Sequence, residues 1–395
     1  FVYVKVKDGE KFHCTGEAFK QNDGEDSTVQ IMPNRKLSLN DVIMLSQKGY
    51  DLTWSDFDQF KYIETGSGLY IRVYEINEMY ELWIGGSWID EDPMYIYLAL
   101  ADDLDTRIDI RDGGVTDFIG ADHSSVLLSK AINEAILTEN KPSKPDGLYH
   151  CASFVLLDQK ELSGTPTVDS SDHTQMVTVY GLALHQGFGY SGGTFHDVSG
   201  SHIPVAITFE IVGGKYVLKE YWTPRDGSYY VQDVRDKFPD EVEDEALDTQ
   251  KYILAQKQTC YDQGVRYGGV DTYSAVEHLF EVIESSPATS SRPADYIDAH
   301  SIEYRELMYY GDYTLQYIFS KFHLEGNQTG LRGQLMRIAL DDLAPEAQLR
   351  LHAETGQAYF DEWRAGAIRV SEQHDMDWIK ANQPAIWLLL QMIDE

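Results

Sequence analysis

The sequence predicts an α+β protein with three parts: an N-terminal α+β unit, a central helix-plus-antiparallel-sheet unit of cystatin-like arrangement, and an all-helical C-terminal part. Three observations carry this. Short alternating or continuous apolar runs broken by Gly, Asp and Pro fill the first third of the chain. One strongly periodic helix then precedes four long strand patterns, and beyond residue 241 strand signals stop while helical periodicity continues to the end. The expected boundaries are 1–122, 123–240 and 241–395.

In the first part, "SLNDVIMLSQKG" places Ser38 or Asn40 to cap a short helix that Gly49 would end. The runs "LYIRVYEI" (69–76), "YELWIGG" (80–86) and "MYIYLAL" (94–100) read as strands. From residue 124, Val126, Leu127, Ala131, Ile132, Ala135 and Ile136 recur at helical spacing until "KPSKPDG" stops the pattern. The segments 149–157, 176–184, 205–212 and 215–222 follow as strands, the last two joined by "GG", a two-residue hairpin signal. In 205–212, Val205, Ile207, Phe209 and Ile211 alternate with Thr208 and Glu210, which predicts a sheet covered on one face. Helical patterns occupy 243–264, 271–285, 295–323, 329–343 and 357–392, and in the third of them Tyr304, Leu307, Met308, Leu315, Ile318, Phe319 and Phe322 form one stripe. Whether this half is a separate domain or one layer of a shared core is left open by periodicity.

Composition narrows function. With 32 Lys and Arg against 65 Asp and Glu in 395 residues, the net charge of −33 repels phosphate backbones, so no nucleic-acid partner is expected. The longest apolar run, "AIWLLLQMI", is too short to span a bilayer, and the chain reads as soluble. It starts "FVYVKV", without Met or a signal segment, and is expected to be part of something longer. Three isolated Cys, at 14, 151 and 260, exclude both a disulfide framework and a paired-Cys metal knuckle, and read as buried thiols.

The catalytic patterns fail in turn. Gly189-Tyr190-Ser191-Gly192-Gly193 matches Gly-x-Ser-x-Gly and makes Ser191 an alternative nucleophile, with His196, Asp197 and His202 nearby. A helix should follow such a serine, however, and "TFHDVSGSHIP" follows instead, so residues 187–203 read as a polar hairpin loop. None of the 12 His residues lies three or four positions from another, and no metal or other cofactor is expected. The acidic run 101–114 puts Ile108 and Ile110 where an EF-hand needs oxygen ligands, and reads as a solvated turn.

The stretch "YWTPRDGSYYVQDVRDKFP" (221–239) has two readings. Trp222 ends a strand, Pro224 and Gly227 turn the chain, and Ser228 caps a helix in which Asp233 sits four residues before Lys237. That makes it a strand-turn-helix joint. As a binding platform it would present Trp222, Arg225, Asp226, Tyr229 and Tyr230. The echo "RDGGVTD" at 111–117 reads as coincidence rather than duplication.

The strings "ETGSGLYIRVYEI", "MYIYLAL", "VTVYGLAL", "IPVAITF", "EYWTPRDGSYYVQDVRDKFP" and "ELMYYGDYTLQYIF" together resemble the extracytoplasmic C-terminal region of BlaR/MecR-type antirepressor membrane metallopeptidases of anaerobic Gram-positive bacteria. The resemblance runs from about residue 40 to 365. It implies an outward-facing sensor held by membrane helices outside this chain, on the extracytoplasmic face of a bacterial plasma membrane. Such a region takes a small ligand or a cell-envelope component as its input. The family's His-Glu-x-x-His, Ser-x-x-Lys and Lys-Thr-Gly motifs are absent from this chain, so neither zinc proteolysis nor penicillin acylation has residues to carry over. The expectation is a non-catalytic sensing or interaction region. The alternatives are a secreted serine hydrolase built on Ser191 and the 187–203 loop, or a protein- or glycan-binding cystatin-like module.

Overall fold

The computed structural model describes the backbone of residues 2–5 and 11–14, and residues 35–393 apart from 66–69, 78, 88, 90, 102, 164–174, 192–193, 213, 288 and 348–352. Gly192 and Gly193 of the Gly-x-Ser-x-Gly match, Gly213 of the hairpin signal and the side chain of Cys14 therefore lie outside the described residues. The chain divides into two compact units, Phe1–Lys130 and Ala131–Glu395.

The first unit is α+β. β1 (Val2–Lys5) pairs with β2 (Lys11–Cys14), and α1 (Leu39–Ser46) follows, capped by Ser38 in a reciprocal box with Asp41. A five-stranded antiparallel meander then runs β3 (Ile63–Thr65), β4 (Tyr70–Glu75), β5 (Tyr80–Gly86), β6 (Tyr95–Leu100) and β7 (Asp103–Asp109). Its inward residues, among them Tyr74, Leu82, Ile84, Ile96 and Leu98, bury against Val42, Trp54 and Phe57. β7 corrects the reading of 101–114 as a solvated turn: Ile108 pairs with Leu98, and the turn begins only after it. α2 (Val115–Gly120) closes the unit, and α3 (Ser124–Glu139) carries the chain from it into the second.

The second unit is built on a four-stranded antiparallel meander: β8 (Tyr149–Ser163), β9 (Gln175–Ser191), β10 (Thr194–Val212) and β11 (Lys215–Trp222). β10 and β11 join where Val212 pairs with Lys215, and Gly214, at φ +84°, takes the left-handed conformation that the tight hairpin requires. β9 and β10 continue to Ser191 and Thr194, so most of 187–203 is strand and not the expected loop.

Helices α4 (Tyr230–Lys237), α5 (Glu243–Leu247), α6 (Ile253–Gly268), α7 (Thr272–Glu284), α8 (Pro293–Ala299), α9 (Ser301–Tyr310), α10 (Asp312–Ser320), α11 (Leu331–Leu343), α12 (Gly356–Ser371), α13 (Met376–Asn382) and α14 (Pro384–Ile393) follow. The pattern read as one helix over 295–323 is broken at His300 and again at Gly311, whose φ of +52° no helix accepts, and ends in a π turn at Lys321–Glu325. The pattern over 357–392 is broken twice, at Glu372–Asp375 and at Gln383.

Both faces of the sheet are covered, against the one-faced expectation. On one face, Ser201 Oγ donates to Asn140 Oδ1 at 3.3 Å, which sets the end of α3 there with Ile132, Ala135 and Ile136 buried. On the other, Tyr190 donates to the Gly264 carbonyl at 2.6 Å, and Phe188 meets Tyr261 edge-on. Cys151, Leu184, Phe188 and Phe195 of the sheet belong to one continuous core with Cys260, Tyr261 and the apolar stripe of α9 and α10. The helical half is thus a layer of a shared core. Cys151 and Cys260 are free and buried within it, where each other's proximity and burial push the Cys151 thiol far up.

Candidate functional site

The stretch 221–239 runs from the last strand into α4. Trp222 lies opposite Ala206, which lies opposite Tyr180, so all three share a face. There Trp222, Tyr180, Tyr230 and Leu157 pack on Val234, Phe238 and Ala246 in a small satellite core. The half-buried Trp222 and Tyr230 therefore hold the joint together, while Arg225, Asp226 and Tyr229 are exposed.

A positive φ of +75° at Gly227 lets the chain turn into a single 3-10 turn, Gly227–Tyr229, and α4 begins only at Tyr230. Ser228 consequently makes no cap. Asp233 instead ties the turn to the helix from inside it. It accepts from Arg225 through the backbone N at 2.9 Å, Nε at 2.8 Å and Nη2 at 2.6 Å, a planar fork on a carboxylate. The guanidinium also lies 4.4 Å over the Tyr229 ring. These hydrogen bonds, side chain first and then backbone, pull the Asp233 carboxyl down to about 2. The expected Asp233–Lys237 pair does not form, because Lys237 reaches across to Glu220 at 3.1 Å and sits 5.8 Å over the Trp222 ring.

Together Trp222, Thr223, Arg225, Asp233, Asp236 and Lys237 line an open cleft of about 370 Å³. Each charged group in it already has a partner: Arg225 pairs with Asp233, Lys237 with Glu220, and Asp236 accepts from Gln232 Nε2 at 2.7 Å. Such a lining offers oriented donors, acceptors and an indole ring. Sequence reasoning missed Thr223, Asp236 and Lys237 as lining residues. Helical spacing of 233, 236 and 237 was the signal for the wall that α4 supplies.

Ser191 is differently placed. It is the last residue of β9, pairs with Thr194, and accepts from Thr194 Oγ1 at 3.0 Å through its carbonyl. A strand follows, so no helix N-terminus stands behind it. Two of its polar neighbours bind α6 to the sheet. Asp197 Oδ2 takes Lys257 Nζ at 2.6 Å, and His202 Nε2 lies 2.8 Å from Gln256 Oε1. Gln256, 1% exposed, also donates from Nε2 to the carbonyls of Ser153 at 3.1 Å and Leu182 at 2.9 Å. Among the described residues, no group of three or more His, Cys, Asp or Glu side chains converges for a metal ion, and no helix is long and apolar enough to cross a membrane.

No protein-family model, curated protein or solved structure matches this chain.

Proposed function

We propose that the chain is the non-catalytic sensing or interaction region of a membrane-anchored BlaR/MecR-like signalling metallopeptidase, on the extracytoplasmic face of a bacterial plasma membrane. The resemblance of the long strings quoted above supports the family. The cleft of Trp222, Arg225 and Lys237 supports binding, because its charged groups are already held in place, Arg225 by Asp233, Lys237 by Glu220 and Asp236 by Gln232. A pre-ordered lining of this kind suits recognition of a small ligand or cell-envelope component, since little ordering cost remains on binding. Occupancy would act by stabilising one arrangement of α4 against the sheet over another, in proportion to the difference in affinity.

Thermal melting of the purified chain against β-lactams, muropeptides, glycans and small metabolites tests this. A ligand at a hundredfold excess over its dissociation constant adds about 2.7 kcal/mol to the folded state. A rise in midpoint that Arg225→Ala or Trp222→Ala removes would place the ligand in the cleft. Turnover of any of these compounds by the chain would defeat the reading. The membrane attachment has its own check: the reading frame upstream should encode membrane helices with His-Glu-x-x-His.

A further inference from the structure

Beyond the end of α3 the sheet face carries the exposed residues His196, Val198 and Ser199, and Asp146, His150 and His185 meet on it. His150 on β8 lies opposite Gly187, and His185 on β9 lies opposite Ala152, so the two imidazoles are diagonal neighbours on one face. Gly187 makes room for them. A Cβ there would stand 2.6 Å from Ser199 Oγ and 3.3 Å from His150 Cε1. The rings are 8° from parallel with centroids 5.1 Å apart, and His150 Nδ1 lies 3.1 Å from His185 Nε2. Behind His150, Nε2 lies 3.0 Å from Asp146 Oδ2 and 3.2 Å from Oδ1.

The tautomer follows from the chemistry of the partners. Asp146 Oδ1 accepts the backbone N–H of Leu148 at 3.1 Å, and a carboxylate can only accept, so Nε2 is the donor in the His150–Asp146 contact. Nε2 of His150 therefore carries the proton, and Nδ1 points a lone pair at His185.

We propose that His150 Nδ1 and His185 Nε2 form a binding site for a divalent transition-metal ion of the zinc and nickel class, with water completing the coordination. Two nitrogens on a tetrahedral zinc ion stand about 3.3 Å apart, and the pair is already close to that spacing. The ion would replace the hydrogen bond between the rings: with the His185 proton on Nδ1, Nε2 offers it the second lone pair. A carboxylate behind a ligand imidazole, fixing its tautomer and raising its basicity, is the arrangement metal-binding histidines adopt. With two protein ligands the site is open and weaker than a closed structural one. This inference stands independently of the proposed sensing role.

The test is calorimetric titration of the whole chain with zinc chloride and, separately, nickel chloride. One site per chain is expected that disappears in H150Q and H185Q and weakens 10- to 100-fold in D146N. It should persist in H278Q, which alters an exposed histidine on α7. Circular dichroism confirms that each variant is folded, and H150Q, at a partly exposed position, decides the matter if H185Q is not. Titration curves that coincide for the unaltered chain and H150Q would overturn the proposal and leave the imidazoles as a hydrogen-bonded pair.

Discussion

Arg225 illustrates how one side chain serves a turn. Its fork on Asp233 crosses the strand-to-helix joint and fixes where α4 starts, while Arg111, in the similar string at 111–117, reaches back to Asp109 and to the carbonyls of Pro93 and Met94. The two Arg-Asp-Gly turns share letters and not construction. Because Arg225 lowers the Asp233 carboxyl to about 2 from 3.8, carbon-detected NMR titration should find Asp233 ionised well below its neighbours, and Arg225→Ala should return it towards 3.8. The folded-state value is depressed, so the stability it confers is present above pH 3.8 and is lost as pH falls through about 2. The histidines act over a higher range. Burial, and then His150, lower His185; burial, outweighing Gln256 and aided by Lys257, lowers His202. Below 6.5 the unfolded chain binds the extra protons, so this stability is present above 6.5 and falls on acidification. The melting midpoint should drop between about pH 7 and pH 5. The drop should shrink in H185Q and in H202Q, and an unchanged slope in both would count against these assignments. None of these pairings was legible in the sequence, because His150, His185 and Asp146 come from two strands and a loop. Only Asp146 and His150 show helical spacing, and they lie where no helix forms.

At the scale of elements, the strands were legible where their apolar runs are long, and their ends were not. β9 and β10 run on through Gly187, Gly189 and Gly200, residues that read as loop in the sequence but whose missing Cβ atoms let neighbouring side chains cross the sheet. Gly181 is the tightest case on β9. A Cβ there would lie 2.0 Å from the Val155 carbonyl oxygen and 2.5 Å from the Phe154 ring. Gly181→Ala should therefore cost about 3 kcal/mol, read as a lower urea midpoint at unchanged slope, although alanine ordinarily favours no worse a backbone than glycine. The helical half shows the opposite difficulty. Its buried residues Tyr296, Leu307, Met308, Leu315, Ile318 and Phe319 keep an apolar face through the breaks at His300 and Gly311, so periodicity reads one helix where three form. Periodicity reports which face is buried and does not report a change of axis.

At the scale of the molecule, the sheet and the helical layer form one core. Gln256 bonds to both Ser153 and Leu182, Lys257 to Asp197, and Tyr190 to the Gly264 carbonyl. A fragment 241–395 would expose Cys260, Tyr261 and Val265, and a fragment 131–240 would expose Leu184, Phe188 and Phe195, all of them buried in the whole chain. Neither should show a cooperative melt or native near-ultraviolet dichroism, whereas 131–395 should show both. Two independent, reversible melts from the shorter fragments would refute the shared core. The sequence by itself determined the class of each part, the acidity, and the identity of most core residues, because local period and turn chemistry act within a few residues of each position. The tertiary structure alone decided the covering of the sheet's second face, the cleft's paired charges and the meeting of His150 with His185. Each joins residues distant in sequence, and only the packed chain fixes their separation.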